Sequence, residues 1–505
     1  MSGPLRLVPD EGGAERTVQL RTLPLKRRRP APPAEPEPAE QLGLSADPLD
    51  ELAERLRDIC ADAVHPYEIA AFLESDGLSD EQAALLYGRP DAFTVAEELF
   101  EKVERRYPGP SSEFANPWRA DPWRCVVRGL VFALPGLGYL LGANLFAATR
   151  MRFGLPSGML ALSVATLVSW SFNQALAHRA YRWLGRARRR EAAICLSAGA
   201  PLGALLASAA AYVVGGPLGA LSFAAGQSLY LGAATVLLVL GREKFLLLAL
   251  APASVGAGVV LATDVPQLVR TVVLLASLAL AVGLAARELL FCIRRGEKEG
   301  VELKLPIRQE IPHLLFGLAC GSLTLIAGLG VTIHQAVRTG AAHGANATPT
   351  GPAMIALTLS LGLAEWLLFR YRALAVAALR TSHTTGQFTR RTGGVLLGCL
   401  FIYLTTVAAL DAAATVLWPG APALGVPQLG ALLLLGGSLW LALLLNAFGL
   451  SWSTALICLA AAGAESAGLL TGVDPTLLQL IGCGTAAVVL TAIAGPVLGR
   501  TTQHR

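Results

Sequence analysis

From residue 124 onward the chain alternates long apolar stretches with short polar links. Twelve stretches are long enough to cross a bilayer as α-helices, which takes about 20 apolar residues each. They lie at 124–147, 154–177, 192–214, 217–240, 244–263, 266–288, 312–337, 351–369, 394–418, 424–445, 450–470 and 475–498. The pattern predicts an all-α polytopic membrane protein with about twelve transmembrane helices.

The residues before the first apolar stretch have a different pattern. Residues 1–45 are rich in Pro and charge and lack apolar periodicity, which is typical of a disordered basic tail. Residues 46–107 contain amphipathic runs such as DELAERLRDICADAV and a capping-box pair at Ser79 and Gln82. We expect a small N-terminal cytoplasmic domain of three or four helices there, joined by a linker at 108–123.

The charges of the links predict the orientation. The links after the second, fourth, sixth and eighth stretches are basic, whereas odd-numbered links such as GGPLG and TGVDPT have almost no Lys or Arg. The positive-inside rule then makes the even-numbered links and both termini cytoplasmic, in an inner or plasma membrane. The six arginines within residues 169–191 therefore indicate topology, and we expect no nucleic-acid partner.

The longest basic link, near 287–311, follows the sixth stretch. It divides the membrane region into two six-helix halves of the same orientation, at 124–300 and 301–500, before a short tail at 501–505. HRAYRWL follows the second stretch of one half and FRYRALA the second stretch of the other. Similar sequences at corresponding positions of the two halves favour an internal parallel repeat, which is the architecture of many transporters.

Composition agrees with a membrane protein that has an acidic appendage. The 505 residues are 53% hydrophobic and only 15% charged, with a net charge of +5. Residues 47–107 hold 16 Asp/Glu against 6 Lys/Arg, a local balance of −10. A domain of about 60 residues buries little apolar surface and is only marginally stable by itself, so we expect residues 46–107 to dock on a cytoplasmic protein. Membrane lipid is the other expected partner.

The common catalytic motifs are missing from the chain. It contains no G-x-x-x-x-G-K-[ST], H-E-x-x-H or G-x-S-x-G sequence, and its eight cysteines form no C-x-x-C pair. We therefore expect no catalytic residue, no metal site, no cofactor and no enzymatic activity.

Acidic residues inside apolar stretches are costly in lipid and mark candidate functional sites. Asp411, Glu465 and Glu365 are the three cases, and we treat them as candidates for ion coupling. Asp411 and Glu465 are both expected toward the outer ends of their helices, where they could share a proton or cation. Hydration near an interface, or pairing of Glu365 with Arg370 or Arg372, is the structural alternative.

Amides inside the stretches form a second group. Asn173, Gln174, Gln227 and Asn446 are candidates for a cavity that binds a hydroxyl-rich substrate such as a sugar. Each could instead link helices by hydrogen bonds worth about 0.6–2 kcal/mol.

Two segments resemble a known family. NQALAHRAYRWLGRARRREAA after the second stretch and GQSLYLGAATVLLVLGREKFLLL across the fourth are similar to the polysaccharide-exporter branch of the multidrug/oligosaccharidyl-lipid/polysaccharide flippase superfamily. The resemblance implies a 6+6 layout and alternating access for a polysaccharide or lipid-linked glycan.

Two other functions stay open. The major facilitator superfamily shares the layout, but its G-x-x-x-D-R-x-G-R-[KR] link is matched at 182–186 only by R-W-L-G-R, shifted by one position and without the Asp. A non-transporting scaffold could instead use residues 46–107 to recruit a cytoplasmic glycosyltransferase or regulator.

Overall fold

The computed structural model describes residues 47–104, 122–145, 151–152, 155–296, 307–339, 351–417 and 424–499. Its described residues divide into two compact units, one before residue 105 and one from residue 122 onward. The expected basic tail at 1–45, almost all of the linker at 108–123 and the tail at 501–505 lie outside the described residues.

The N-terminal unit consists of five short helices rather than three or four. They are α1 (Pro48–Arg55), α2 (Arg57–Asp62), α3 (Pro66–Ser75), α4 (Asp80–Tyr87) and α5 (Ala92–Lys102). The extra helix arises because the run DELAERLRDICADAV is interrupted at Leu56, whose backbone leaves the helical conformation between α1 and α2. The capping box at Ser79 and Gln82 begins α4, with both reciprocal hydrogen bonds present.

Apolar side chains and a surface ion pair hold these five helices together. Leu52, Ile69 and Leu99 are buried in one cluster. Arg89 donates to both carboxylate oxygens of Glu98, at 2.5 and 2.7 Å. The hydrogen bond to Arg89 lowers the pKa of the Glu98 carboxyl, so this pair stays charged at neutral pH.

The second unit contains twelve helices long and apolar enough to cross a membrane. We number them span 1 to span 12. Span 1 combines α6 (Pro122–Ala133) and α7 (Gly138–Gly142), and a two-residue antiparallel ladder, β1 (Met151–Arg152) with β2 (Leu155–Pro156), precedes span 2. Spans 2 to 12 are α8 (Ser157–Leu184), α9 (Arg189–Val214), α10 (Leu218–Val239), α11 (Glu243–Ala262), α12 (Gln267–Arg295), α13 (Ile311–Thr339), α14 (Gly351–Thr381), α15 (Thr385–Leu417), α16 (Val426–Ala447), α17 (Ser451–Leu470) and α18 (Pro475–Leu498). The expected all-α polytopic fold is confirmed.

Span 1 is a broken helix. Its α-helical hydrogen-bond pattern tightens to a 3-10 turn at Leu134–Leu137, which contains Pro135 and Gly136, before α7 resumes. Proline removes a backbone donor and its ring crowds the preceding turn, which accounts for a break at this point. Span 7, its counterpart in the second half, runs without interruption from Ile311 to Thr339.

The helix packing repeats with a period of six spans. In the first half, span 2 packs on spans 3 and 4, span 3 on span 4, span 4 on span 6, and span 5 on spans 1 and 6. Adding six to every number gives packed pairs of the second half: 8 with 9 and 10, 9 with 10, 10 with 12, and 11 with 7 and 12. The two halves are therefore structural repeats, as the links suggested.

The halves meet through spans 1 and 8 and through spans 2 and 7. Adding six to each span number, with 14 read as span 2, turns the contact of spans 1 and 8 into the contact of spans 7 and 2. The two contacts between the halves therefore obey the same two-fold relation as the packing within them. At the contact of spans 1 and 8, a Cβ placed on Gly362 would lie 2.8 Å from the Cα of Gly129 and 2.4 Å from the carbonyl oxygen of Cys125. Two glycines thus let these backbones approach closely, as small residues do in membrane helix pairs.

Replacement of Gly362 by alanine is expected to destabilise the protein, because the added methyl group collides with the backbone of span 1. Overpacking of this kind costs about 1–3 kcal/mol. The control is Gly398→Ala in span 9, where a Cβ would meet nothing within 4 Å and where alanine favours the helix by about 1 kcal/mol. Thermal unfolding of the purified protein in detergent should show a lower Tm for Gly362→Ala only. Equal Tm values for the two variants would contradict the close contact.

Candidate functional site: the contact between the two halves

A half-buried arginine joins the halves at the contact of spans 1 and 8. The Arg128 guanidinium in span 1 donates through Nε to Glu243, the first residue of span 5, and its Nη1 pairs with Glu365 in span 8. The side chains of Arg128, Glu243 and Glu365 are only 19%, 8% and 16% exposed. One cation thus compensates two carboxylates from different halves.

Glu365 is therefore part of a contact between halves. It pairs with Arg128, and not with Arg370 or Arg372 as the structural alternative to ion coupling had it. Arg370 lies over the Trp366 ring at 5.1 Å. Arg372 lies over the Phe448 ring at 4.8 Å and donates to the carbonyl of Ala447. Arg370, five positions further along the helix, points away from Glu365, whereas Arg372, seven positions further, lies on the same face about two turns away.

A second polar cluster joins spans 2 and 7. Arg182 donates to Glu310, which directly precedes the span 7 helix, at 2.8 Å, and Arg179 lies 3.6 Å from the other Glu310 oxygen. One turn deeper, the rings of His178 and His313 are stacked with centroids 3.6 Å apart and planes 20° from parallel. A line of polar contacts therefore crosses between the halves.

Close packing continues this contact into the membrane region. A Cβ on Gly317 would lie 2.9 Å from the Cα of Ser171 and 3.0 Å from the Cγ of Gln174, and one on Gly321 would lie 2.6 Å from a methyl of Leu167. Spans 2 and 7 thus run antiparallel and in contact from Arg182 and Glu310 inward to Leu167 and Gly321.

Both charge clusters lie at the same end of the membrane unit, where the links after spans 2, 4, 6 and 8 are found. We call this the basic end. Arg182 is near the last residue of span 2, Glu243 begins span 5 and Glu310 precedes span 7. Some arginines that the sequence presents as topology markers therefore also bind carboxylates of the opposite half.

Toward the opposite end, spans 2 and 7 each have close neighbours in their own half. Ala161 and Ala165 of span 2 share a buried cluster with Ala207 and Ala211 of span 3. In span 7, Gly328 packs on Met354 of span 8 and Gly330 on Pro475 of span 12. Beyond Leu167 and Gly321, spans 2 and 7 therefore pack against their own halves.

Two of the four amide candidates lie on neighbouring positions of span 2. Gln174 is buried in the contact with Gly317 of span 7. Asn173 is buried, its Nδ2 donates to the Ser169 hydroxyl at 3.3 Å, and its Oδ1 has no hydrogen-bond partner within the described ranges. Gln174 is thus at the contact between halves, whereas Asn173 retains a free acceptor.

The other two amides are far apart from each other in the fold. Asn446, at the end of span 10, is buried with neither amide atom partnered by a described residue. Gln227 of span 4 donates to the Tyr139 hydroxyl at 2.7 Å and to the Thr166 hydroxyl at 3.0 Å, while its buried Oε1 has no partner in the described part of the chain. The four candidates do not form one site.

Gln227 lines a cavity inside the first half. The cavity has a volume of about 220 Å³ and lies among spans 1, 4, 5 and 6, beside the break in span 1. Its walls are mostly apolar, and they include Tyr139, Phe223, Leu250, Leu274 and Ser277. Its size and mostly apolar walls suit a small apolar group.

The acidic candidates Asp411 and Glu465 are buried in the second half on different helices. Asp411 has a carboxylate oxygen without a described partner, and Glu465 accepts a hydrogen bond from the Cys483 thiol at 3.3 Å. Span 9, which carries Asp411, packs on spans 8, 10 and 12, whereas span 11, which carries Glu465, packs on spans 7, 10 and 12. Packing therefore gives no support to a cation or proton shared by the two carboxyls.

Sequence reasoning missed the residues that make the contact between the halves. Arg128 was overlooked although a charge inside an apolar stretch is itself a signal. Glu243, Glu310, His178 and His313 stand at the ends of stretches, where charge and imidazole are ordinary. Their partners lie in other spans, so no local pattern identifies them.

Comparison with models of known protein families, with curated proteins and with solved structures found no match for this chain. The fold itself defines a class: a multi-pass membrane protein of twelve membrane-length helices, arranged as two repeated halves of six.

Removal of Arg128 is expected to destabilise the protein more than removal of Glu365. Arg128→Gln removes the guanidinium that pairs with Glu243 and Glu365, and loss of one partner from a buried ion pair costs about 3–5 kcal/mol. Glu365→Gln leaves Arg128 paired with Glu243, so its effect should be smaller. Thermal unfolding in detergent measures both, with exposed Arg294→Gln as the control. A larger loss for Glu365→Gln than for Arg128→Gln would refute this arrangement of charges.

Proposed function

We propose that the protein is a secondary transporter or flippase-like exporter that moves a polysaccharide or lipid-linked glycan by alternating access. The observation that carries the proposal is the contact between the two repeated halves, which is polar and ion-paired at the basic end. Repeats related in this way can rock against each other about a central site.

Ion pairs and stacked rings are suited to a contact that forms and breaks. Arg182 and Glu310 lie at the ends of their spans, where water can solvate both charges once they separate. The close glycine contact of Gly129 and Gly362 would serve as the pivot. On this proposal the structure corresponds to the state closed at the basic end.

The even-numbered links then lie in the cytoplasm, as the positive-inside rule requires. On this proposal a cleft between the halves opens away from the cytoplasm, which is the state that follows release of an exported molecule. The glycan class is supported by the resemblance of the segments around spans 2 and 4 and by the unpartnered amide oxygen of Asn173 beside the contact.

A cross-link between the halves tests alternating access. In Gln174→Cys with Gly317→Cys, the two Cβ atoms would be about 3.3 Å apart, close to the spacing of a disulfide. Oxidation should stop export of surface polysaccharide by cells of the native host, because the basic end can no longer open, and reduction should restore it.

The matched control is a cross-link within one half. Ala200→Cys with Gly232→Cys joins spans 3 and 4, with Cβ atoms about 3.2 Å apart. Export should continue when this pair is oxidised. If mass spectrometry shows the Gln174–Gly317 cross-link complete while export proceeds at the control rate, alternating access between these halves is rejected.

A scaffold function is the second candidate, and the N-terminal unit favours it. Val64, Tyr67 and Leu85 are 82%, 61% and 86% exposed on this small acidic unit. Exposed apolar side chains on a charged surface are typical of a protein-binding site.

Deletion of residues 46–107 and neutralisation of the buried carboxyls separate the two functions. For a transporter, the deletion should reduce export only in part, and Asp411→Asn with Glu465→Gln should abolish export only if these two carboxyls carry the coupling ion. For a scaffold, the deletion should abolish export and the double substitution should have no effect. Export is measured as surface polysaccharide, after immunoblots show equal amounts of each variant in the membrane.

A further inference from the structure

The stacked histidines occupy a special place in the contact between the halves. His178 belongs to span 2 of the first half and His313 to span 7 of the second half, and their ring centroids are 3.6 Å apart. Among the described residues, the buried Nδ1 of His178 has no hydrogen-bond partner. A ring nitrogen that can accept a proton is therefore held against a second imidazole from the other half.

Charged groups from both halves surround this pair. Arg182 and Arg179 lie on the same helix as His178, and Glu310 of the other half pairs with both of them. The Cys195 thiol of span 3 lies beside Arg179. Each proton added to the histidines therefore places a further positive charge beside two guanidinium groups.

Protonation would change the pair from attractive to repulsive. Two neutral imidazoles pack well face to face, whereas two imidazolium rings at this distance repel each other, and the neighbouring arginines add to that repulsion. Because the rings belong to different halves, the repulsion acts directly on the separation of spans 2 and 7 at the basic end.

We propose that His178 and His313 form the proton-binding site of the transport cycle, and that protonation of the pair opens the basic end of the contact between the halves. The inference rests on the proposed function and names its coupling ion. The proton binds to an unprotonated ring nitrogen from water in the cleft, and it leaves to water at the basic end after that end opens. Entry of protons on one side and exit on the other makes the cycle an exchange of protons for exported substrate.

The other titratable candidates are less suited to this role. Glu365 is held by Arg128, and protonation of Glu365 would leave the pair of Arg128 and Glu243 intact. Asp411 and Glu465 are carried by spans 9 and 11, which take no part in the contacts of spans 1 with 8 and 2 with 7. Among the contacts described between the halves, the histidine pair is the one that places two imidazoles, one from each half, against each other.

Distance measurements on the full-length protein in lipid nanodiscs test the proposal. Spin labels on encoded non-natural side chains at Arg294 and Thr385, at the basic ends of spans 6 and 9, report the separation of the halves and leave the native cysteines unmodified. Lowering the pH from about 8 to about 5.5 spans the ordinary titration range of histidine. The closed population should fall by about tenfold.

Variants assign this response to the histidines. His178→Phe combined with His313→Phe keeps two stacked rings but removes the proton sites, so the closed population should become independent of pH. His313→Arg carries a fixed charge and should favour the open form at both pH values. His334→Phe, on the same helix but near its opposite end, is the control and should respond like the unmodified protein. Monodisperse elution and an unchanged Tm exclude misfolding of the phenylalanine variant.

The outcomes separate this inference from the proposed function. A pH response that persists in the double phenylalanine variant, or that is absent from the unmodified protein, overturns the histidine proposal. If the Gln174–Gly317 cross-link nevertheless blocks export, alternating access stands with another coupling site. If the cross-link does not block export, the proposed function itself fails.

Discussion

A charged side chain removed from water needs its counter-charge within the protein, and this requirement shapes the contact between the halves. Arg128 lies within an apolar helix and reaches Glu243 of its own half and Glu365 of the other. Such a group is costly in a membrane unless it is paired. The pairing therefore fixes which helices meet and how spans 1 and 8 are rotated about their axes.

Small residues make this arrangement possible. In lipid there is little hydrophobic driving force between helices, so association depends on close packing and on polar contacts. Gly129 with Gly362, and Gly317 with Ser171, bring the backbones near enough for the charged and aromatic groups around them to touch. Steric fit and charge pairing are thus two aspects of one interface.

Hydropathy was sufficient to predict the membrane fold, because a bilayer admits only segments that satisfy their own backbone hydrogen bonds. The twelve stretches match twelve helices, with ends that differ mainly where polar residues extend a helix beyond the apolar core, as in span 8 up to Thr381. The break in span 1 was not foreseen, although Pro135 signals it. The alternative that paired Glu365 with Arg370 or Arg372 used neighbours in sequence, whereas its partner Arg128 lies in the other half. Long-range pairs such as Arg182 with Glu310 leave no periodic trace, and only the fold reveals them.

The direction of charge across the interface has a consequence for assembly. At both charged contacts the arginine comes from the first half and the facing carboxylate, Glu365 or Glu310, comes from the second. Packing follows a two-fold relation, but charge does not. If two first halves met through this surface, the arginines of each span 2 would face a partner without the carboxylate of Glu310, and two second halves would likewise lack cations. Like-charge juxtaposition of this kind selects against wrong partners. The charges therefore favour contact of the first half with the second half over contact with another first half. Because one chain carries both halves, they are always made in the one-to-one ratio that this contact requires.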